Sequence, residues 1–177
     1  MIFKMLKKLI PSYYLADIYA LTIKDLKALE VDILFFDLDN TLDPFYNKVP
    51  SLETTTFIQN FLANDIKVFV LSNNHQKRIK TYCESLHIPY LFHCYKPFKH
   101  KINKFIIHNG FSRANILLVG DQILTDIICA NSLKIKSLLV EPYVKTDLKK
   151  TMINRFIDKK IRKKMKEKGL LKSINEN

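Results

Sequence analysis

The stretch Asp37-Leu38-Asp39-Asn40-Thr41-Leu42 directly follows the apolar run Ile33-Leu34-Phe35-Phe36. The apolar run predicts a short buried strand, so two carboxylates lie at its carboxyl end. In an open α/β sheet, ligands bind at that end of the strands. Two neighbouring acids repel each other unless a cation joins them, and Mg²⁺ prefers oxygen ligands. The stretch therefore predicts a magnesium site in which one carboxylate is free to attack phosphorus.

The composition is typical of one folded domain over residues 1–177. The chain is 47% hydrophobic and has only three glycines and six prolines, which argues against disorder. Its three scattered cysteines, Cys83, Cys94 and Cys129, are typical of free thiols in a reducing cytoplasm. No apolar run approaches the roughly 20 residues of a membrane-spanning helix. We therefore expect a cytoplasmic protein.

Positive charge is concentrated near the C-terminus. Residues 145–172 carry +9 of the net charge of +12. This asymmetry indicates an anionic partner surface, either lipid head groups or nucleic acid, and the alternative is a solvated charged face. Residues 1–10 interleave apolar residues with lysines, which predicts an amphipathic helix. That helix either docks on the domain or lies on a lipid surface.

Strand and helix patterns alternate through a core of about residues 31–140. Five strands are predicted, over about 32–36, 66–71, 89–92, 116–119 and 136–140, with single helices between them. This alternation predicts an α/β fold with a parallel sheet and helices on both faces.

A final basic helix is predicted over about residues 147–168. Its apolar residues recur at spacings of three and four, which predicts a buried stripe opposite a basic face. The stripe consists of Met152, Ile153, Phe156, Ile157, Ile161 and Met165.

Residues of complementary chemistry follow four of the predicted strands. They are Asp37 with Asp39, Ser72, Lys96, and Asp121 with Asp126. Phosphoryl transfer needs acids that hold a metal, a hydroxyl that binds a phosphate oxygen and a cation that offsets the developing charge. A single strand-end Asp or Ser is usually a helix cap, but the four segments together predict a phosphoryl-transfer site.

This combination resembles the haloacid dehalogenase (HAD) superfamily of phosphatases. The superfamily's four motifs match, in order, Asp37-Leu38-Asp39-Asn40-Thr41, Ser72, Lys96 and Gly120-Asp121 with Asp126. The details are similar to the YqeG type in subfamily IIIA, which is related to phosphatidylglycerophosphate phosphatase. Those details include Leu71-Ser72-Asn73-Asn74, Lys96-Pro97 and Ile153-Asn154-Arg155 before the basic tail. The resemblance implies a Rossmann-like HAD fold with about five parallel strands.

The resemblance also implies a role for each acid. Asp37 would be the nucleophile that forms an aspartyl-phosphate, and Asp39 would be the general acid and base. The metal ligands would be Asp37, Asp39 through its backbone carbonyl, and Asp121, with Asp126 supporting them from outside the ligand set.

The remaining motif residues would hold the substrate. By the same resemblance, Ser72 and Asn73 would bind the phosphate. Lys96 would bind it too and would neutralise the nucleophile's charge. Losing Lys96 should slow turnover by about 10²–10⁴-fold.

The spacing between motifs leaves no room for a cap domain. About 30 residues separate Asp39 from Ser72, and about two dozen separate Ser72 from Lys96. Each gap fits one helix and one strand. An open site suits a bulky substrate such as a lipid head group.

Three functions follow from these observations. The leading hypothesis is a Mg²⁺-dependent phosphatase of phospholipid biosynthesis, which converts phosphatidylglycerophosphate to phosphatidylglycerol as a peripheral protein on the inner membrane face. The first alternative is a soluble phosphatase for a nucleotide, a sugar phosphate or a phosphoprotein. The second is a basic nucleic-acid-binding or ribosome-binding protein built on this fold.

Overall fold

The computed structural model describes residues 7–144 and 152–174, and of residues 152–154 it describes the backbone only. A parallel sheet of six strands lies at its centre in the order β1-β6-β5-β2-β3-β4. The strands are β1 Tyr13–Leu15, β2 Ile33–Phe36, β3 Lys67–Leu71, β4 Tyr90–Leu91, β5 Ile116–Gly120 and β6 Lys136–Val140. The predicted α/β class is confirmed, and the predicted count of five strands is wrong by one.

The additional strand is β1, at the edge of the sheet. It has only three residues, too few for a periodic pattern to appear in the sequence. Its pairing with β6 places Tyr14 opposite Leu139, and the Ser12 amide donates to Ser137 Oγ at 2.9 Å. These partners lie about 125 residues away in the chain, so tertiary contacts rather than local sequence form this strand.

Among the described residues, six α-helices surround the sheet. They are α1 Ile23–Ala28, α2 Leu52–Leu62, α3 Gln76–Leu86, α4 His100–His108, α5 Ile128–Leu133 and α6 Met152–Glu167. Local capping fixes where two of them begin. Thr22 and Asp25 form a capping box at α1, and the Ser51 side chain accepts from the Thr54 amide at α2.

Strand β2 is buried on both faces and fixes the centre of the carboxyl edge. Leu34 and Phe36 belong to the core beneath α2 and α3, whereas Ile33 and Phe35 belong to the core beneath α4 and α5. Side chains alternate across a strand, so a continuous apolar run is what a central strand between two helical layers requires. Because β2 lies between β5 and β3, its following residue, Asp37, lies at the middle of that edge.

The predicted apolar stripe of the last helix is buried only in part: Met165 is buried and Ile161 packs against its cluster, while the side chains of Met152 and Ile153 lie outside the described residues. Phe156 and Ile157 are exposed, whereas Asp158, Arg162 and Met165 are buried. The buried face thus combines apolar residues with Asp158 and Arg162, and the periodicity of apolar residues could not reveal its polar part. The predicted start near residue 147 lies outside the described residues.

The described part of the N-terminal segment docks on the domain. The Asn131 side chain donates to the carbonyls of Lys8 and Ile10 at 2.8 and 2.9 Å. Leu9 and Ile10 pack against the apolar cluster that contains Met165. Residues 1–6 lie outside the described residues. None of the helices in the described ranges has both the length and the apolarity needed to cross a bilayer.

The three cysteines are free and buried, as the sequence predicts. Burial raises the pKa of the Cys83 and Cys129 thiols to about 12 and that of Cys94 to about 11. The thiols therefore stay protonated and unreactive at neutral pH.

A buried acid that the motif analysis did not single out, Asp43, ties the loop after β2 to two helices. Its Oδ2 accepts from Thr54 Oγ1 at 2.8 Å, from the Ser51 amide at 3.2 Å and from the Tyr82 hydroxyl. The carboxylate is 1% exposed, so each donor offsets the cost of burying it. The network holds the loop that carries Asp37 against α2 and α3.

We expect Tyr82→Phe to destabilise the protein by about 1–2 kcal/mol, because the buried Asp43 carboxylate loses a donor. Urea denaturation measures the change. Tyr90→Phe is the matched control, since the Tyr90 hydroxyl makes only a 3.5 Å contact with Gln76. Equal losses in the two variants would contradict this role for Asp43.

Candidate active site

The residues predicted from the strand ends meet at the carboxyl edge of the sheet. The Asp37 amide donates to the Val119 carbonyl at 2.9 Å, which joins the end of β2 to the end of β5. Thr41 Oγ1 lies 3.3 Å from Asp121 Oδ1 and 3.5 Å from Asp37 Oδ2. The first and fourth motifs are therefore in direct contact.

Lys96 lies at the centre of the site. Its Nζ is 2.6 Å from Asp37 Oδ1 and 2.7 Å from Asp126 Oδ1, and it donates to the Leu71 carbonyl at 2.8 Å. Burial would lower the pKa of this ammonium group, but the two carboxylates outweigh it and raise the pKa, so Lys96 stays charged. The lysine thus neutralises the acid that the sequence assigns as nucleophile.

Three acids form one cluster beside this lysine. Ligand oxygens of Asp37, Asp121 and Asp126 all lie within 4.8 Å of one another. Burial, opposed by Lys96 and reinforced by the other two acids, raises the pKa of Asp37 to about 8. Burial and Asp126 likewise raise the pKa of Asp121 to about 6, although Arg155 opposes them. Converging carboxylates that resist ionisation fit a hard divalent cation such as Mg²⁺.

Asp126 lies closer to the centre than its predicted supporting position. It belongs to the acidic cluster, yet both of its oxygens are engaged: Oδ1 by Lys96, and Oδ2 by the Gln122 amide at 3.1 Å and Thr125 Oγ1 at 3.3 Å. It therefore both orients Lys96 and closes the turn that carries Asp121.

The side chain of Asp39 lies outside the acidic cluster. Its oxygens accept from the Asn74 amide group and from Arg78 Nη2, the latter at 2.6 Å. Burial raises the pKa of this carboxyl, although Arg78 and Asn74 oppose the shift. A carboxyl beside the nucleophile that holds its proton more tightly than usual suits a general acid. The sequence analysis missed Arg78, which carries no motif signature on α3.

The second motif lies at the end of β3, as the sequence predicts, and the Asn73 side chain contacts the segment that carries Lys96. Ser72 is buried at the end of β3, and its Oγ accepts from the Asn74 amide at 3.1 Å. The Asn73 side chain accepts from the Lys96 amide at 2.7 Å and donates to the Lys96 carbonyl at 2.9 Å. The Asn73 side chain thus positions the lysine loop, and phosphate binding by Asn73 stays a prediction.

Gly120 is required where β5 meets the fourth motif. A Cβ at this position would lie 2.5 Å from Asp126 Cβ and 2.6 Å from its Oδ2. These separations are far inside van der Waals contact, so only glycine lets Asp126 approach the strand end and reach Lys96.

The basic helix α6 contributes polar side chains to the site. Asp158 accepts from the amides of Ile123 and Leu124 at 3.0 and 3.2 Å. Arg162 donates to the carbonyls of Asp121 and Val140. Together these contacts fix the turn after β5 from above.

Arg155, on the same face of α6, forms an ion pair with Asp121 Oδ2. The helix therefore brings a cation to the acidic cluster. Sequence analysis assigned the charges of this helix to its surface, because only the packing shows which of them turn inward.

Two sequence comparisons match the chain to hydrolases. The chain is 30% identical over 166 residues to the Bacillus subtilis (strain 168) protein named "Probable phosphatase YqeG", in an alignment that covers 93% of this chain and 96% of that protein. Residues 93–154 match the family model described as HAD-hydrolase-like.

Solved structures share the fold at lower identity. An uncharacterized protein from Listeria monocytogenes serotype 4b superposes with a TM-score of 0.53 at 15% identity, over 67% of this chain and 86% of that chain. The 3-deoxy-D-manno-octulosonate 8-phosphate phosphatase from Yersinia pestis gives 0.51 at 13% identity, over 71% and 72%. These likenesses show the fold alone.

We expect Gly120→Ala to lower stability by about 1–3 kcal/mol through overpacking and to abolish phosphate release from p-nitrophenyl phosphate, because Asp126 must move away from Lys96. Gly110→Ala is the control: its Cβ meets nothing, but its φ of +64° costs stability. Full activity in Gly120→Ala would contradict this account of the turn.

The raised pKa of Asp37 predicts a pH dependence of stability without metal. The group contributes stability below its ordinary pKa of 3.8, and that contribution is lost as pH rises through about 8. Between these values, in EDTA, the free energy of unfolding should therefore fall less steeply in Asp37→Asn than in wild type. Urea denaturation across this range measures both slopes, and identical slopes would refute the prediction.

Proposed function

We infer the function of this chain from its family, since the chain belongs to the YqeG family of HAD-type phosphatases. We propose that Asp37 attacks the phosphorus of a phosphomonoester. The single observation that carries this proposal is the buried Lys96, in contact with Asp37 at 2.6 Å and with Asp126 at 2.7 Å. A carboxylate can approach a phosphate dianion only where a cation offsets the repulsion.

The reaction then proceeds in two displacements. Asp37 forms a bond to phosphorus while the bond to the leaving alcohol breaks, and Asp39 donates a proton to that alcohol oxygen. Water next attacks the aspartyl-phosphate and gives its proton to Asp39. The bond between Asp37 and phosphorus breaks, which releases inorganic phosphate and restores both acids.

We propose that Asp37 and Asp121 hold Mg²⁺ together with the backbone carbonyl of Asp39. Asp126 would act from beside them, where it orients Lys96 and closes the turn that carries Asp121. The bound ion would supply positive charge that offsets the repulsion between the acids and the phosphate. Ser72 and Lys96 remain the candidates for binding the phosphate oxygens.

We propose phosphatidylglycerophosphate as the substrate, with phosphatidylglycerol as the product. Over residues 37–96, all of which are described, only α2 and β3 separate Asp39 from Ser72, and only α3 and β4 separate Ser72 from Lys96. A site without a lid can accept a head group that stays in a membrane. The exposed lysines of α6, beside the site, favour peripheral attachment to acidic lipid at about 1 kcal/mol for each well-placed charge.

Two other functions are also compatible with an open site and a basic helix. A soluble nucleotide, sugar phosphate or phosphoprotein would reach the open site equally well. The basic helix could also bind nucleic acid, but Arg155 and Arg162 turn toward the site rather than toward a partner. This placement favours the lipid phosphatase over a nucleic-acid-binding protein.

We expect Asp37→Asn to abolish phosphate release in magnesium, because an amide cannot act as the nucleophile. Asp32→Asn is the matched control, since Asp32 precedes the same strand at its amino end. Phosphate release is measured with short-chain phosphatidylglycerophosphate beside nucleotides and sugar phosphates. Equal turnover of all substrates would reject the lipid proposal, and activity in Asp37→Asn would reject the nucleophile.

A further inference from the structure

Exposed apolar side chains concentrate at the edge of the sheet that carries the site. Among the described residues, the large hydrophobic side chains that face solvent are mostly in the segments after β2, β4 and β6 or on α6. Those at this edge are Tyr46, Val49, Leu52, Tyr95, Phe98, Tyr143, Phe156 and Ile157. Single exposed apolar residues are ordinary, but this concentration at one edge requires a reason.

Contacts between these segments show that they share one surface. Arg78 on α3 donates to the Phe45 carbonyl in the loop after β2. The Tyr143 amide, after β6, donates to the Asn40 carbonyl at 2.8 Å. Arg155 joins the first turn of α6 to Asp121. Lys96, between Tyr95 and Phe98, ties the segment after β4 to Asp37 at the same edge. The segments therefore all lie at the edge that carries the acidic cluster, and we call Tyr46, Tyr95, Phe98 and Phe156 the aromatic rim.

Positive charge accompanies the aromatic rim. Lys48 and Lys99 lie beside its loops, and Lys160, Lys163 and Lys164 lie on the face of α6 opposite Asp158 and Arg162; all five are exposed. Lys160 Nζ lies 4.3 Å from the centre of the Phe156 ring. The outward face of α6 therefore presents apolar and basic groups together.

This arrangement fits a lipid surface better than a protein partner. The rim residues come from separate segments and have exposed lysines beside them, whereas the centre of a protein interface is packed, apolar and depleted of lysine. A bilayer deforms around scattered aromatic side chains, holds them at head-group depth and attracts nearby lysines when its lipids are anionic.

We propose that the aromatic rim inserts into the surface of an anionic bilayer and turns the acidic cluster toward the lipid head groups. The inference rests on the proposed function only for the reason why the protein would dock, which is to reach a lipid substrate. Docking itself is measured without turnover. Its consequence is that a phosphorylated lipid reaches Asp37 without leaving the membrane.

The chain contains no tryptophan, so one introduced tryptophan reports on its own surroundings. In Phe98→Trp and Phe156→Trp, emission should shift to the blue on addition of phosphatidylglycerol-containing vesicles and be quenched by brominated acyl chains. Ile107→Trp is the matched control. The Ile107 side chain is 64% exposed and the Phe98 side chain 70%, but Ile107 lies near the C-terminal end of α4, away from the rim. Its emission should not change.

A second variant tests the contribution to binding. Phe98→Ser with Phe156→Ser should weaken co-sedimentation with the same vesicles by on the order of tenfold, whereas Ile107→Ser should not. Hydrolysis of p-nitrophenyl phosphate checks that each variant is folded. Unchanged vesicle binding by the double variant, or equal spectral shifts at positions 98 and 107, overturns the inference. So does a concentration-dependent dimer that the double variant abolishes.

The substrate panel and the vesicle assays fail independently. Vesicle binding that depends on the rim supports the inference even if soluble phosphates prove to be the substrates. Preference for the lipid substrate without rim-dependent binding supports the proposed function and rejects the inference.

Discussion

The contact of one buried lysine with two carboxylates is the constraint on which the rest of the site depends. Lys96 reaches Asp37 after β2, Asp126 after β5 and the Leu71 carbonyl at the end of β3. An isolated buried ammonium group costs several kcal/mol, and it is stable here only because three strand ends converge on it. The sheet order, with β2 between β5 and β3, makes that convergence possible, so the fold and the site support each other.

The acids around this lysine are destabilised by their burial and by one another. Asp37, Asp121 and Asp126 crowd together, and burial raises the pKa of Asp37 and Asp121. Mutual repulsion among these buried acids weakens the fold in the absence of a cation, and a bound divalent ion would offset that repulsion. The raised pKa values of Asp37 and Asp121 are therefore typical of a functional site rather than of a packing defect.

Helix α6 joins the chemistry to the proposed membrane surface. Its inner face fixes the turn after β5 through Asp158 and Arg162 and brings Arg155 to Asp121. Its outer face exposes Phe156 and lysines. One helix thus contacts both the turn that carries Asp121 and the solvent.

The sequence alone determined the sheet class, the position of Asp37 at the carboxyl end of a buried strand and the four motif segments, because apolar runs and strand-end residues are local signals. Tertiary contacts determined the features that local sequence patterns do not encode. Strand β1 forms only through partners across the chain, and Asn73 positions the Lys96 loop. Helix α6 buries Asp158 and Arg162 beside Met165, while Phe156 and Ile157 of its apolar stripe stay exposed. A polar side chain is buried only where the fold supplies its hydrogen-bond partners, and those partners are distant in sequence.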